Sequence, residues 1–186
     1  MKLPVFITHF ATLMIVTVLC GLIYVSVQQS HRSGANDPQL QIALDLKNAI
    51  ESNQSTIKWM SGDNIEISRS LSVFKTFYNA NGEPLQTTGF LDTQPPRIPK
   101  GVFDFTTKHS EDVLTWQPRA GVRMAMVVEA VNSPQVAFVA VGRSLKEVEK
   151  RESTLVTMVL VAWLVCVGVI FLHFLVSYFT AINKKI

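Results

Sequence analysis

Two long apolar stretches lie near the ends of the chain, and a more polar segment separates them. Residues 5–27 read VFITHFATLMIVTVLCGLIYVSV and residues 154–179 read TLVTMVLVAWLVCVGVIFLHFLVSYF, both without Asp, Glu, Lys or Arg. At about 1.5 Å per residue, a helix of either length spans the roughly 30 Å hydrocarbon core of a bilayer. Because a single apolar segment satisfies its backbone in lipid only as a helix, the sequence predicts two transmembrane helices. A cleaved signal peptide is the alternative for the first stretch, although its apolar part is long and no small-residue cleavage site follows it.

The polar segment, residues 28–152, has the length of one domain with its own core. Its opening residues form either a linker or a continuation of the first helix. A second helix then begins, with Asn36 or Asp37 as the N-cap and Pro38 at the first helical position. Apolar residues recur at helical spacing from there to about Asn53. We therefore expect an amphipathic helix that packs on the domain's own sheet.

Five stretches rich in β-forming residues follow this helix. They are residues 73–78, 85–91, 112–117, 122–132 and 136–142. A proline-rich loop over residues 93–100 and a short helix over residues 101–109 separate the second strand from the third. In the fourth strand, Arg123 and Glu129 face away from the methionines, and the fifth is apolar on both faces, as a central strand is. The sequence thus predicts an α+β domain with an antiparallel sheet of about five strands.

The last strand leads into a helix start. Ser144-Leu145-Lys146-Glu147 matches a capping box, with Ser144 as the N-cap and Glu147 at the third helical position. No Gly or Pro interrupts residues 145–167, which predicts one helix from the domain into the second apolar stretch. A continuous helix can transmit movement across a bilayer. The equally favoured alternative is a short helical entry to the span that carries no signal.

Charge adds information about orientation. The chain has 17 Lys and Arg against 14 Asp and Glu, with 48% hydrophobic and 17% charged residues. Residues 28–152 contain fourteen of each sign, so the excess comes from Lys2, Lys184 and Lys185. A neutral middle with basic ends excludes the basic face that nucleic-acid binding needs. Basic flanks favour the cytoplasm, so we expect both termini there and residues 28–152 outside.

Three segments carry a family resemblance. They are residues 35–39 (ANDPQ), 78–82 (YNANG) and 141–149 (VGRSLKEVE). With the two apolar stretches they resemble the N-terminal input module of bacterial sensor histidine kinases, in which a PAS-like periplasmic sensor domain lies between two transmembrane helices. The resemblance implies a multi-pass protein of a bacterial inner membrane that takes part in two-component signalling. Its partner would be a second copy, or a separate effector such as a kinase.

A histidine kinase continues into a phospho-accepting helix and an ATP-binding domain. Seven residues follow Phe179 in this sequence. We therefore expect an input module without catalytic activity of its own. The predicted organisation is a cytoplasmic tip and first span (residues 1–27), the extracytoplasmic sensor-like domain (28–152), the second span (153–179) and a cytoplasmic tail (180–186).

The candidate ligand-binding residues are basic side chains around an aromatic one in the proline loop and the following hairpin. They are Arg97, Lys100, Trp116, Arg119 and Arg123. A small-ligand site combines an apolar wall with a few placed polar groups, so this set would suit a small anionic ligand.

Two histidines lie within the apolar stretches. His9 and His173 are each close to the predicted cytoplasmic end of a span, so antiparallel packing would bring their imidazoles to a similar depth. Ionisable residues within a membrane are candidates for function. A mutual hydrogen bond, a proton relay, a pair of haem ligands and a purely structural role are all consistent with this position.

Other motifs do not support catalysis. Ser72-Val73-Phe74-Lys75 matches S-x-x-K, but S-D-N and K-T-G do not occur and the segment is strand-like. Cys20 and Cys166 both lie in the apolar stretches. We therefore predict no catalytic residue, no metal site and no cofactor. The leading hypothesis is a non-enzymatic sensor or ligand-binding module that signals through the exit helix; the alternatives are an assembly subunit of a membrane complex and a haem protein.

Overall fold

The structure, a computed structural model, describes residues 3–34, 36–53 and 64–183. The helices among these residues are α1 (Leu3–Gly34), α2 (Asp37–Glu51), α3 (Lys100–His109) and α4 (Lys146–Asn183). The strands are β1 (Ile65–Glu66), β2 (Phe74–Tyr78), β3 (Pro84–Thr87), β4 (Gly89–Phe90), β5 (Glu111–Arg119), β6 (Val122–Ala130) and β7 (Phe138–Ser144). The chain divides into two compact units, one made of Met1–His31 with Lys150–Ile186 and the other of Arg32–Glu149.

The first unit contains most of α1 and α4. Both helices are long and apolar enough to cross a membrane, over Phe6–His31 and Lys146–Thr180. The two helices run antiparallel, because His9 contacts His173 while the later Thr17 contacts the earlier Trp163. The polar residues after the first apolar stretch continue α1 as far as Gly34, so they are helical and do not form a linker.

The second unit is an α+β domain built on a five-stranded antiparallel sheet. Its strand order is β3-β2-β7-β6-β5. The predicted central strand is confirmed, because β7 pairs with β2 on one side and with β6 on the other. The boundaries of the last three strands differ from the predicted ones by up to two residues.

The predicted strand over residues 85–91 is wrong as a single element. β3 pairs with β2, whereas β4 leaves that sheet and pairs in parallel with β1. The chain bends between them because the backbone N–H of Thr88 donates to the Lys75 carbonyl and the N–H of Gly89 donates to Oγ1 of Thr87. The two-residue β1 was not predicted.

The core lies on both faces of the sheet. On one face, α2 packs its apolar side against β2, β6 and β7, as its helical periodicity predicted; this cluster contains Ala43, Leu46, Ile50, Phe77, Val127, Val131, Val139 and Val141. The other face carries a more aromatic cluster that includes Phe74, Tyr78, Phe103, Trp116, Met124, Met126 and Phe138. The Tyr78 hydroxyl is buried there and donates to the Pro96 carbonyl at 2.8 Å. Burial raises the pKa of that hydroxyl.

The ends of α2 differ slightly from the prediction. Asn36 precedes the helix and accepts a hydrogen bond from the Leu40 N–H at its carbonyl, but its side chain makes no capping hydrogen bond. Pro38 is the second helical residue, not the first, and α2 ends at Glu51. The short helix predicted over residues 101–109 is confirmed as α3, with Pro99 before its first residue.

Candidate functional site

The five predicted ligand-binding residues differ in their exposure and in their partners. Trp116 is 7% exposed and belongs to the aromatic core cluster. Arg97 and Lys100 are exposed in the proline loop and at the first residue of α3. Arg119 and Arg123 are also exposed, and each forms an ion pair with a carboxylate of the same unit. The indole therefore serves as core rather than as an accessible wall beside these cations.

Arg119 belongs to a surface network with two carboxylates. Its Nη1 donates to Oδ2 of Asp92 at 2.5 Å, and the backbone N–H of Asp92 donates to Oε2 of Glu66 at 3.1 Å. The Ser68 hydroxyl donates to Oε1 of Glu66 at 2.7 Å. These bonds, chiefly the one from Ser68, lower the pKa of Glu66. An anionic ligand at Arg119 would have to displace Asp92.

Arg123 connects the sheet to the start of α4. Its Nη1 donates to Oε1 of Glu149 at 2.7 Å, and its carbonyl accepts the backbone N–H of Leu145 at 2.9 Å. One residue of β6 thus holds the first turn of the exit helix through both its side chain and its main chain. Leu145 is the only residue between the end of β7 and the start of α4.

The helix begins one residue later than the capping box predicted. Ser144 is the last residue of β7, and α4 starts at Lys146, which makes Glu147 its second residue. The reason is the hydrogen bond from Leu145 to Arg123, which keeps the chain beside β6 for one more position. The Ser144 hydroxyl still accepts the backbone N–H of Lys146, at 3.3 Å.

His9 and His173 contact each other across the apolar helix pair. Nε2 of His9 lies 2.9 Å from Nδ1 of His173, and the ring centroids are 5.0 Å apart. Phe174 packs edge-on against the His9 ring at 5.5 Å. A metal ion bound between two opposed imidazoles would separate the ligating nitrogens by about 4 Å. The observed hydrogen-bonded contact is too short for that geometry, so the pair does not fit a haem iron held between its rings.

The structure contains a buried ion pair that the sequence did not predict. Glu129 on β6 is 2% exposed, and its Oε2 accepts a hydrogen bond from Nζ of Lys47 on α2 at 2.9 Å. Glu111 is its cross-strand neighbour on β5. Burial raises the pKa of Glu129; Lys47 acts in the opposite direction, and Glu111 raises the pKa further. The available signal was a lysine on the apolar side of an amphipathic helix together with a glutamate on the helix-facing side of an apolar strand.

The described part of the chain offers few groups for metal chemistry. Among those residues, no three His, Cys, Asp or Glu side chains lie together so that they could hold a metal ion. No family model, curated protein or solved structure matches the chain.

Strand β6 takes part in two ion pairs that join it to helices. Glu129 bonds to α2 and Arg123 bonds to α4, and the two residues lie on the same face because they are an even number of positions apart. At about 3.4 Å per residue they are separated by roughly 20 Å along the strand. β6 thus forms a direct structural connection between the helix-covered core and the exit helix.

Proposed function

We propose that the protein is a membrane-anchored sensor module. Its α+β domain lies outside the cell, α1 and α4 anchor it in a bacterial inner membrane, and a partner inside the cell receives the signal. The observation that carries this proposal is the attachment of β6 to the first turn of α4 through Arg123, at the start of a helix that continues unbroken to Asn183.

The five-stranded antiparallel sheet agrees with the PAS-like domain that the resemblance implies, and its strand order supports a link to the exit helix. When the five strands of this sheet are numbered 1 to 5 along the chain, the order β3-β2-β7-β6-β5 becomes 2-1-5-4-3. The first strand (β2) and the last strand (β7) are therefore neighbours near the centre of the sheet. This order places the last strand, which leads into α4, in the middle of the hydrogen-bonded ladder, where a change in the sheet reaches the exit helix directly.

The mechanism needs no catalytic group. A stimulus shifts the domain between two arrangements, and the contacts of Arg123 pass that shift to the first turn of α4. A helix transmits rotation or translation along its axis because each residue is hydrogen-bonded to the turn before it. The basic residues at the two termini favour placing both ends in the cytoplasm, where a kinase or another effector, or a second copy of this chain, receives the movement.

The proposal is tested with the full chain fused through its C-terminus to the cytoplasmic half of a sensor histidine kinase, with autophosphorylation as the readout. We expect Arg123→Ala and Glu149→Ala to change the output in the same direction. The change should be up to about fivefold, because an exposed ion pair contributes at most about 1 kcal/mol. The charge swap Arg123→Glu with Glu149→Arg should return the output toward the wild-type value.

A helix-breaking variant separates transmission from local damage. Ser153→Pro removes a hydrogen bond inside α4 and should make the output insensitive to Arg123→Ala. Ser153→Ala is the control, since it changes the same side chain and keeps the backbone hydrogen bond. Wild-type output from every variant, at normal membrane levels, would refute the sensor proposal. Stoichiometric co-purification of the native chain with fixed membrane partners would then favour an assembly subunit.

A further inference from the structure

The most unusual group in the domain is the carboxylate of Glu129. It lies between α2 and the sheet, within the apolar cluster that contains Val127, Val131 and Val139. Burying a carboxylate is unfavourable unless a cation or a proton compensates its charge. Here a single lysine supplies the cation, and that lysine is itself 22% exposed at its side chain.

Among the described residues, the elements packed around Glu129 present few other charges. From α2 come Lys47 and Glu51, and the Glu51 carboxylate accepts the backbone N–H of Asn132 beyond the end of β6. From β5 comes Glu111, directly opposite in the antiparallel register. The β7 residue opposite Glu129 is the apolar Val139. Within the described part of the chain, Glu129 therefore faces one cation and one close carboxylate, so that binding of a proton to Glu129 changes the net charge of this group of residues.

We propose that the proton is the stimulus of this sensor and that Glu129 is its binding site. This inference rests on the proposed sensor function and names the ligand class that the domain detects. On acidification, a proton from solvent binds a carboxylate oxygen of Glu129 and neutralises it. The protonated group donates a hydrogen bond to the Glu111 carboxylate, and the Lys47 ammonium loses its charged partner.

The consequence for the fold follows from which elements these residues join. Lys47 attaches α2 to β6, so loss of its charged partner weakens the attachment of that helix to the strand. β6 is also the strand that holds α4 through Arg123. Protonation thus weakens the contact between α2 and β6, the strand that holds the exit helix in place. The direction of the Glu129 pKa shift, raised by burial and by Glu111, brings its titration closer to neutral pH.

Proton binding is measured directly in the full chain in detergent micelles, with glutamate carrying carbon-13 at its carboxyl group. We expect one carboxyl signal to titrate above the usual value of 4.5 and to be absent from Glu129→Gln. Glu111→Gln should lower the pKa of that signal, because it removes a neighbouring negative charge. Glu83→Gln, in the β2–β3 hairpin, is the matched control and should leave the signal unchanged. If every glutamate signal titrates near 4.5, the proposal is wrong.

The kinase fusion gives the second readout. The ratio of protonated to ionised Glu129 changes about tenfold for each pH unit, so the wild-type output should change with the pH outside the cell. We expect Glu129→Gln to abolish that change while Arg123→Ala still alters the output. A pH response retained in Glu129→Gln overturns the proton proposal alone. Loss of the Arg123→Ala effect in the wild-type background overturns the sensor proposal instead.

Discussion

Nζ of Lys47 lies 2.9 Å from Oε2 of Glu129, and the two residues are 82 positions apart in the chain. Removing only the cation leaves a buried carboxylate without compensation. We therefore expect Lys47→Met to lower the free energy of unfolding at neutral pH by about 3 kcal/mol. The double variant Lys47→Met with Glu129→Leu should recover most of this loss, because it removes both charges. Urea unfolding of the full chain in micelles measures both effects, with the exposed Lys100→Met as control; equal losses for the two lysine variants would contradict the assignment.

The same carboxylate gives the stability a specific pH dependence. Because the pKa of Glu129 is raised by burial, the folded chain binds this proton more tightly than the unfolded chain does. The stabilisation from this proton is fully present below the unfolded-state pKa near 4.5. It is lost as the pH rises through the folded-state pKa.

This dependence is measured as the difference in unfolding free energy between wild type and Glu129→Gln across a pH series. As the pH rises from 4.5, we expect the unfolding free energy of the wild type to fall relative to that of Glu129→Gln, by at most about 1.4 kcal/mol per pH unit. The lowered pKa of Glu66 acts in the opposite direction but is common to both proteins and cancels. A difference that does not vary with pH would show that Glu129 titrates alike in both states.

Phe74 fills space that two glycines leave open. A Cβ on Gly142, its cross-strand neighbour, would lie 2.5 Å from Cε1 of the Phe74 ring, and one on Gly89 would lie 2.6 Å from its Cβ. We expect Gly142→Ala to destabilise the domain by about 1–3 kcal/mol through overpacking. Adding Phe74→Leu should relieve part of that clash. Gly101→Ala, which meets no atom within 4 Å, is the control and should be neutral or slightly stabilising in the same urea titration.

Gln39 is buried on α2, and within the described part of the chain neither its amide nitrogen nor its amide oxygen has a hydrogen-bond partner. A buried polar group without a partner is unfavourable. We expect Gln39→Met to raise the unfolding free energy by about 1 kcal/mol. Gln41→Met is the exposed control on the same helix and should change it by less than about 0.5 kcal/mol. Destabilisation by Gln39→Met would indicate that the amide does have a partner.

Local periodicity was enough to predict the helices and the central strand. The apolar side of α2, the two-sided apolar strand β7 and the uninterrupted α4 each follow from the spacing of residues within one segment. β1 was not predicted and β4 was merged with β3 into one predicted strand, because two-residue strands have no periodicity and their parallel pairing depends on where the chain bends at Thr88. Whether such short strands form is decided by pairing between segments that are distant in the sequence.

The candidate sites show the same division. His9 and His173 could be matched from sequence because both lie near the ends of apolar stretches that must pair antiparallel. The Lys47–Glu129 pair could not, since it requires both the rotation of α2 on the sheet and the register of β6. Trp116 is predicted to contribute to a ligand site beside basic residues, and in the structure its side chain on β5 lies in the aromatic core cluster.

The helix pair of the first unit makes two polar contacts whose strength can be measured. His9 bonds to His173, and Nε1 of Trp163 donates to Oγ1 of Thr17 at 3.0 Å. Interhelical hydrogen bonds in a bilayer contribute on average about 0.6 kcal/mol, and at most about 1.7 kcal/mol. A double-mutant cycle with His9→Leu and His173→Leu, read by reversible unfolding of the full chain in bicelles, should give a coupling energy in that range. The cycle with Thr17→Val and Trp163→Phe should give a similar value. Zero coupling in both cycles would mean that α1 and α4 do not pair in this register in bicelles.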